Sequence, residues 1–284
     1  MLHEKTIAFI GAGSMAEAMI SGIVAAGKVP SQQISVTNRA NLKRLQELEA
    51  KYKINGLTRK HLNLQNVDII VLAMKPKDAD DALQSIKESL QPSQLVLSVL
   101  AGISTTYMEQ YLPEGQQVIR VMPNTSSKIG ESATGISAGT NTTNENMTLT
   151  KELLKSIGEV YEIPEEHMDI FTGVAGSGPA YFYYLMEHME ETAKKFGLQE
   201  KMARDIIAQT IVGAAKMIQQ QDEQPHVLRE NVTSPNGTTA AGLAALDHNG
   251  GGKAISQAIK HAALRSHEIS SQLEGATKEK IRAV

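Results

Sequence analysis

The chain has 284 residues, and at about 150 residues per domain this length predicts two domains. Its 28 basic and 31 acidic side chains give a formal net charge of −3, which argues against nucleic acid as the main partner. The absence of cysteine excludes disulfides, thiolate metal sites and cysteine nucleophiles. The chain has no run of about 18 apolar residues, so we predict no membrane span.

The first half of the chain alternates short β-branched runs with helical segments. Residues 6–10 are apolar, but Gly11 and Gly13 follow at once, so we interpret them as a strand of a cytoplasmic protein rather than a secretion signal. Further strands are predicted at residues 34–36, 67–73, 95–100, 118–122, 133–138 and 160–163, with helices at 41–53 and 147–156. Near-continuous apolar strands separated by helices are typical of a parallel sheet that is buried on both faces.

After Pro164 the strand-like runs stop, and long helical patterns follow at residues 179–196, 201–220 and 253–272. We therefore predict an α/β domain with a mostly parallel sheet over residues 1–163, and an all-α domain over residues 164–284. The helices of the second domain carry apolar residues on wide faces, which a unit of this size can cover only in part. We expect this domain to form oligomers.

Residues 11–16 read G-A-G-S-M-A, which matches the pattern G-x-G-x-x-A between a predicted strand and a predicted helix. The first glycine permits a tight turn, the second lets the backbone approach a pyrophosphate, and the alanine lets helix and strand pack closely. This predicts a Rossmann dinucleotide-binding domain, with the anion at the helix N-terminus. The cofactor-binding residues predicted here are Gly11, Ala12, Gly13, Ser14 and Met15. The alternative is a glycine-rich corner without a ligand.

The end of the second predicted strand indicates which cofactor binds. NAD sites of this kind usually place Asp or Glu there for the ribose 2′-hydroxyl, whereas this strand ends in Thr37, Asn38 and Arg39. An arginine can hold a 2′-phosphate through two parallel hydrogen bonds. We therefore predict NADP as the cofactor, with NAD(H) as the weaker choice. The alternative is that Arg39 is an ordinary solvated arginine.

The remaining parallel strands are expected to end at the same crevice. Their closing residues are predicted to surround the ribose and nicotinamide: Ala73, Met74, Lys75, Pro76, Ala101, Met122 and Asn124. The alternative is ordinary proline and glycine turn chemistry.

The segment 232–243 is the most unusual part of the second domain. Its turn, rich in serine, proline and glycine, places Thr238 and Thr239 at the start of an alanine-rich helix. Free backbone N–H groups at that point would form a carboxylate site. The alternative is that threonine or serine simply caps the helix.

Residues 232–247, V-T-S-P-N-G-T-T-A-A-G-L-A-A-L-D, closely resemble the signature of the pyrroline-5-carboxylate reductases. The chain is similar to the same family at residues 9–16, 75–76, 120–124 and 176–181, and these blocks follow the family order over about residues 5–272. The resemblance implies NADPH-dependent reduction of 1-pyrroline-5-carboxylate to L-proline, the last step of proline biosynthesis. It also implies a helical domain that forms homodimers, which in this family often assemble into decamers.

The resemblance also assigns residues to the substrate. It implies that the substrate lies among Ser234, Asn236, Gly237, Thr238 and Thr239. Thr239 would be the catalytic residue, near the ring nitrogen. Asn236 stands where many relatives have glycine. In the region before Asp68, residues 60–63, the family's asparagine that touches the adenosine end of the cofactor is missing from its usual position, which leaves a role for Lys60 at the 2′-phosphate open.

Two other functions remain as alternatives. A 3-hydroxyacid dehydrogenase shares this two-domain plan but has a catalytic lysine where this chain has Phe182, and alcohol oxidation needs an acid or base. A non-enzymatic NADP-binding regulator would be expected to lack the threonine-rich loop. His188 lies among three glutamates, a pattern that solvated charges explain better than a metal, so we predict no metal site.

Overall fold

The computed structural model describes residues 2–282, with side chains for residues 2–272. The chain forms two compact units. The first contains residues 2–177 and 261–282, and the second is Gly178–Lys260. Within the described residues, no helix has both the length and the apolar character needed to cross a membrane.

An eight-stranded sheet forms the centre of the first unit. Its strands are β1 (Ile7–Ile10), β2 (Ile34–Asn38), β3 (Asn55–Thr58), β4 (Ile69–Leu72), β5 (Leu95–Ser98), β6 (Gln117–Met122), β7 (Ser132–Ala138) and β8 (Gly158–Glu162). They lie in the order β3-β2-β1-β4-β5-β6-β7-β8, and every neighbouring pair is parallel except β6 and β7. This arrangement confirms the predicted α/β Rossmann fold with a mostly parallel sheet.

Both faces of the sheet are covered, as its strand composition requires. On β1, Ile7 and Phe9 belong to the apolar cluster of one face, and Ala8 and Ile10 to that of the other. Successive side chains of a strand point to opposite faces, so a strand that is covered on both sides is apolar at every position. Continuous apolar runs, rather than alternation, were therefore the right signal in the sequence.

Most helices of the first unit connect parallel strands. The unit includes α1 (Ser14–Ala25), α2 (Leu42–Tyr52), α3 (Ala79–Lys87), α4 (Thr105–Tyr111), α5 (Asn144–Leu154) and the single turn α6 (Met168–Phe171). Asn41 starts α2, because its side chain accepts a hydrogen bond from the Arg44 N–H. Thr143 starts α5 in the same way, by accepting from the Asn146 N–H.

The strand order reverses beside β1, and this reversal positions the site. Ile10 at the end of β1 is level with Thr37 on β2 and Leu72 on β4, so the three strands end at the same edge. The chain moves outward from β1 to β2 and β3, then crosses back to β4 on the other side. In open α/β sheets, ligands bind in the crevice at such a reversal.

The second unit is entirely helical, which confirms the predicted all-α domain. Its helices are α7 (Gly178–Lys195), α8 (Glu200–Gln220), α9 (Pro225–Asn231), α10 (Thr238–His248) and the beginning of α11 (Gly251–Arg282). Arg204 on α8 donates to both oxygens of Glu190 on α7, at 2.8 and 2.9 Å. Few side chains of this unit are buried, and Phe196 is 88 % exposed.

The two compact units do not meet between residues 163 and 164, where the sequence predicted the boundary. That boundary follows the end of β8, but residues 164–177 pack with the sheet. Buried Arg120 on β6, for example, pairs with Glu165 at 2.8 Å. The later part of α11 also belongs to the first unit, where Ser266 donates to Asp169 at 2.7 Å.

Candidate functional site

A cavity of about 1450 Å³ opens at the carboxyl ends of β1, β2 and β4. The structure brings most of the predicted cofactor-binding residues to its wall: Gly11, Ala12, Gly13, Ser14, Met15, Thr37, Asn38, Arg39, Ala73, Met74 and Lys75. Pro76, Ala101, Met122 and Asn124 do not line it. The predicted residues therefore fall into one group at the cavity and a second group away from it.

The backbone conformation and close packing at Gly11 require a glycine even without a ligand. Its φ of 119° lies in a region that other residues rarely adopt. A Cβ atom here would lie 2.4 Å from the carbonyl oxygen of Ala73, at the end of β4. The Gly11 N–H donates to the Thr37 carbonyl at 3.0 Å, which joins the turn to β2. This glycine thus lets three strand ends converge.

Gly13 differs, because no neighbouring protein atom requires a glycine there. Its φ and ψ are −76° and −177°, which any residue can adopt, and a Cβ would be 3.9 Å from its nearest neighbour, the Ala73 oxygen. Gly13 is the N-cap of α1, and no side chain caps this helix. The first N–H groups of α1 are thus available to an anion, and a bare backbone lets that anion approach closely. This donor set fits a pyrophosphate.

An arginine that sequence reasoning missed holds the glycine-rich turn. Arg44 on α2 donates from Nε to the Ala12 carbonyl at 3.1 Å and from Nη2 to the Glu17 carboxylate on α1. Glu17 also accepts from Lys51 and Tyr52, each at 3.0 Å. These contacts, Arg44 foremost, lower the pKa of Glu17 to about 2. No local pattern marks this role of Arg44, since Ala12 and Glu17 lie outside α2.

The outer end of the cavity carries both signs of charge. Arg39 is exposed, with Nη1 3.7 Å from Asp78 and Nη2 3.9 Å from Asp81. The Asn38 side chain accepts from the N–H groups of residues 40 and 41, so it shapes the turn. Arg59, which sequence reasoning also missed, lines the same cavity. Lys60 does not line it.

The residues away from the cavity have structural contacts instead. The Asn124 side chain donates to the Ala175 carbonyl at 3.0 Å and accepts from the Ser126 N–H at 3.0 Å. Met122 packs beside Gly176, where a Cβ would be 3.0 Å from its terminal methyl carbon. Pro76 begins a short 3₁₀ turn. A direct cofactor contact from these residues, or from Ala101, stays a prediction.

The predicted substrate loop is a tight turn ahead of α10. The Gly237 N–H donates to the Ser234 carbonyl at 3.0 Å, and a Cβ on Gly237 would meet the Ser234 hydroxyl at 2.3 Å. Asn236 has a φ of 61°, in the left-handed region that favours glycine and, among other residues, asparagine. Asparagine can therefore stand where many relatives have glycine.

The loop presents donors at the start of α10. Gly237 is the N-cap, and no side chain caps the helix, so the alternative of capping by threonine or serine is wrong. Thr238 is exposed and Thr239 half-buried. Among the described residues, neither hydroxyl has a hydrogen-bond partner. Hydroxyls and uncapped N–H groups together form a donor set suited to a small carboxylate.

Comparisons with known proteins agree with this geometry. A family model described as pyrroline-5-carboxylate reductase dimerisation matches residues 165–269, and one described as NADP oxidoreductase, coenzyme F420-dependent, matches residues 6–102. The chain is 59 % identical to pyrroline-5-carboxylate reductase 1 of Bacillus spizizenii, over 96 % of this chain and 92 % of that protein.

Two solved structures share the fold over nearly the whole chain. Plasmodium falciparum pyrroline carboxylate reductase with NADP bound has a TM-score of 0.86 and 27 % identity, covering 95 % of this chain and 100 % of that one. A Coxiella burnetii pyrroline-5-carboxylate reductase has a TM-score of 0.86 and 30 % identity, covering 94 % and 98 %. The sequence identity, the matched dimerisation domain and the two helix-start donor sets lead to one conclusion: this chain belongs to the pyrroline-5-carboxylate reductase family.

Proposed function

We propose that this protein reduces 1-pyrroline-5-carboxylate to L-proline with NADPH, in the last step of proline biosynthesis. The observation that carries the proposal is the intact loop of residues 234–239, which offers hydroxyl and N–H donors at an uncapped helix start in a member of this family. A cyclic imino acid needs a donor set for its carboxylate and a partner for its ring nitrogen. It needs no metal and no strong acid.

The cofactor is held by the first unit. The N–H groups at the start of α1 bind the pyrophosphate, and the bare backbone of Gly13 lets it approach. Arg39 holds the 2′-phosphate, and residues 73–76, Ala101, Met122 and Asn124 surround the ribose and nicotinamide. NADPH, when bound, supplies the hydride for the C=N carbon. NADH lacks the phosphate and serves as a weaker cofactor.

The substrate is held by the loop before α10. The substrate carboxylate accepts hydrogen bonds from the N–H groups of the first helical turn, that of Thr238 included, and from the Ser234 hydroxyl. Asn236 and Gly237 give the loop the turn that places these donors. The Thr239 hydroxyl bonds the ring nitrogen. A protonated imine is already electrophilic, so orientation is the main contribution of these residues.

The two alternatives fit less well. A 3-hydroxyacid dehydrogenase needs an acid or base where this chain has Phe182, and phenylalanine supplies neither. A non-enzymatic NADP-binding regulator has no need of a substrate loop, yet the loop here is intact. We also assign the functional division to residues 1–163 for the cofactor and 164–284 for dimerisation and substrate.

The helical unit makes self-association part of the function. Tyr184 is 61 % exposed and Ile206 is 50 % exposed, an apolar surface suited to another copy of this chain. We propose a homodimer as the smallest active form and a decamer as the larger assembly, in the cytoplasm. The net charge of −3 argues against nucleic acid as a partner.

The decisive experiment is an assay of the purified protein with five-membered and six-membered cyclic imino acids and with both reduced cofactors. We expect NADPH oxidation with the five-membered imine, a smaller rate with NADH, and proline as the product. NADPH binding without oxidation by either imine would favour the regulator. Turnover of 3-hydroxyacids with NADP would favour the dehydrogenase.

A further inference from the structure

Arg59 is fixed in the cavity beside Arg39. It begins the short 3₁₀ turn Arg59–His61, directly after β3. Its Nη2 donates to the Ala82 carbonyl at 3.2 Å and to the Ser85 hydroxyl, both on α3. The side chain is half-buried. Because these contacts hold the guanidinium, a ligand that binds it causes little further loss of side-chain freedom.

The two arginines repel one another across the cavity end. Burial lowers the pKa of Arg59 most, the positive charge of Arg39 lowers it further, and Asp81 opposes the shift. Arg39 approaches Asp78 and Asp81 only to 3.7 and 3.9 Å, well beyond the roughly 2.7–2.9 Å of a charge-assisted hydrogen bond. These ion pairs are therefore loose, and a better anion can replace them.

We propose that Arg59 and Arg39 together bind the 2′-phosphate of NADPH, and that Asp78 and Asp81 are exchangeable counter-ions which leave Arg39 when the phosphate arrives. This inference rests on the proposed use of NADPH. A phosphate monoester carries about −1.5 to −2 charges near neutral pH and has three acceptor oxygens. It can thus neutralise two guanidinium groups, whereas the 2′-hydroxyl of NADH cannot.

Two opposing effects then set the preference for NADPH over NADH. Arg59 attracts the phosphate, and the two carboxylates repel it and compete for Arg39. Removing Arg59 should weaken binding of the phosphate, and removing a carboxylate should strengthen it. A purely structural Arg59 would instead affect both cofactors equally.

The test is calorimetric titration of the full-length protein with adenosine 2′,5′-bisphosphate and with adenosine 5′-monophosphate, which differ only in the 2′-phosphate. It involves no turnover. Arg59→Gln should raise the Kd of the bisphosphate about tenfold or more and leave that of the monophosphate unchanged, which also reports that the variant is folded. Asp81→Asn, at an exposed position, should lower the Kd of the bisphosphate severalfold.

Lys60→Gln is the matched control, because it removes one positive charge from the neighbouring residue, which does not line the cavity. It should change either Kd less than about twofold, as expected for a screened surface charge. Equal Kd changes in Arg59→Gln and Lys60→Gln, or an unchanged bisphosphate Kd in Arg59→Gln, would overturn the assignment of Arg59. A weaker bisphosphate complex in Asp81→Asn would overturn the counter-ion role.

The same measurements separate this inference from the proposed function. If the wild-type protein oxidises NADPH with the imine but Arg59→Gln binds both nucleotides normally, only the inference fails. If no imine is reduced while Arg59→Gln loses the bisphosphate selectively, the phosphate site stands and the proposed reaction fails.

Discussion

Two helices, α1 and α10, each begin at a glycine N-cap with no side-chain hydrogen bond to the helix start, but the surroundings of the two helices differ. Helix α1 begins after Gly13 and buries five of its side chains against the sheet, among them Met19 and Ile23. Helix α10 begins after Gly237 and has no buried residue. The first anion site is thus rigid within its own unit. The second has little packing within its own unit, and we expect a second copy of the chain to supply it, in keeping with the matched dimerisation domain.

The largest effect should come from the glycine turn, where the two glycines can be compared. Gly11→Ala puts a Cβ 2.4 Å from a backbone oxygen at a φ of 119°. We therefore expect the free energy of unfolding to fall by about 1–3 kcal/mol or more, and NADPH binding to be lost. Gly13→Ala should keep the melting temperature and lose NADPH binding alone. Thermal melts and NADPH fluorescence titrations measure both. A destabilised Gly13→Ala protein would contradict our account.

The second-largest effect should come from the exposed apolar surface of the helical unit. Ile206→Glu places a charge on an exposed apolar site of α8, so we expect dissociation of the dimer at micromolar concentration, a cost of about 2 kcal/mol or more, and loss of activity. Gln209→Glu adds the same charge at an exposed polar site of the same helix and should remain dimeric. Light scattering measures the mass. A fully active wild-type monomer would disprove the dependence on a second copy.

The substrate loop should respond to loss of one hydroxyl. Thr239→Val keeps the shape but removes the donor and acceptor, so kcat/KM should fall between a few-fold and about a hundredfold, with kcat affected and NADPH affinity unchanged. Thr238→Val is the control, because we expect its backbone N–H to matter more than its hydroxyl. Normal turnover in Thr239→Val combined with a defect in Thr238→Val would reverse the assignment of the two threonines.

The cofactor site should respond to charge. Arg39→Asp replaces the phosphate ligand by a repelling carboxylate, so KM for NADPH should rise more than KM for NADH, by about 2 kcal/mol or roughly 30-fold. Steady-state kinetics with both cofactors measure the difference. Equal changes would show that Arg39 does not contact the 2′-phosphate.

The smallest effect concerns the ion pair of Arg44 with Glu17, which holds the glycine-rich turn. Arg44 and its neighbours lower the pKa of Glu17 from 4.5 to about 2. The folded state therefore favours the ionised carboxylate, and this contribution to stability is present above pH 4.5 and lost as the pH falls towards 2. Glu17→Gln should lower the free energy of unfolding at neutral pH by about 1 kcal/mol and flatten its decline in acid. Urea unfolding at several pH values checks this, with Glu49→Gln, at an exposed position of α2, as the control.

Much of the first unit could be read from local patterns. Strands such as β4 and β5 are continuous apolar runs because both sheet faces are covered, and the glycine turn has a strict spacing. Strand β3 was not predicted, since as an edge strand its residues are half-exposed or exposed and only Leu57 is a large apolar side chain. Weak burial leaves a weak pattern.

The sequence alone determined the α/β and all-α classes, the dinucleotide fingerprint and the threonine loop, because each depends on residues close together in the chain. Only the tertiary structure brought Arg44 to the Ala12 carbonyl and Arg59 to the cavity shared with Arg39 and Asp81. Contacts between charged side chains on separate elements leave no periodicity to read. At this cavity the charged side chains meet because parallel strands bring their carboxyl ends to one edge.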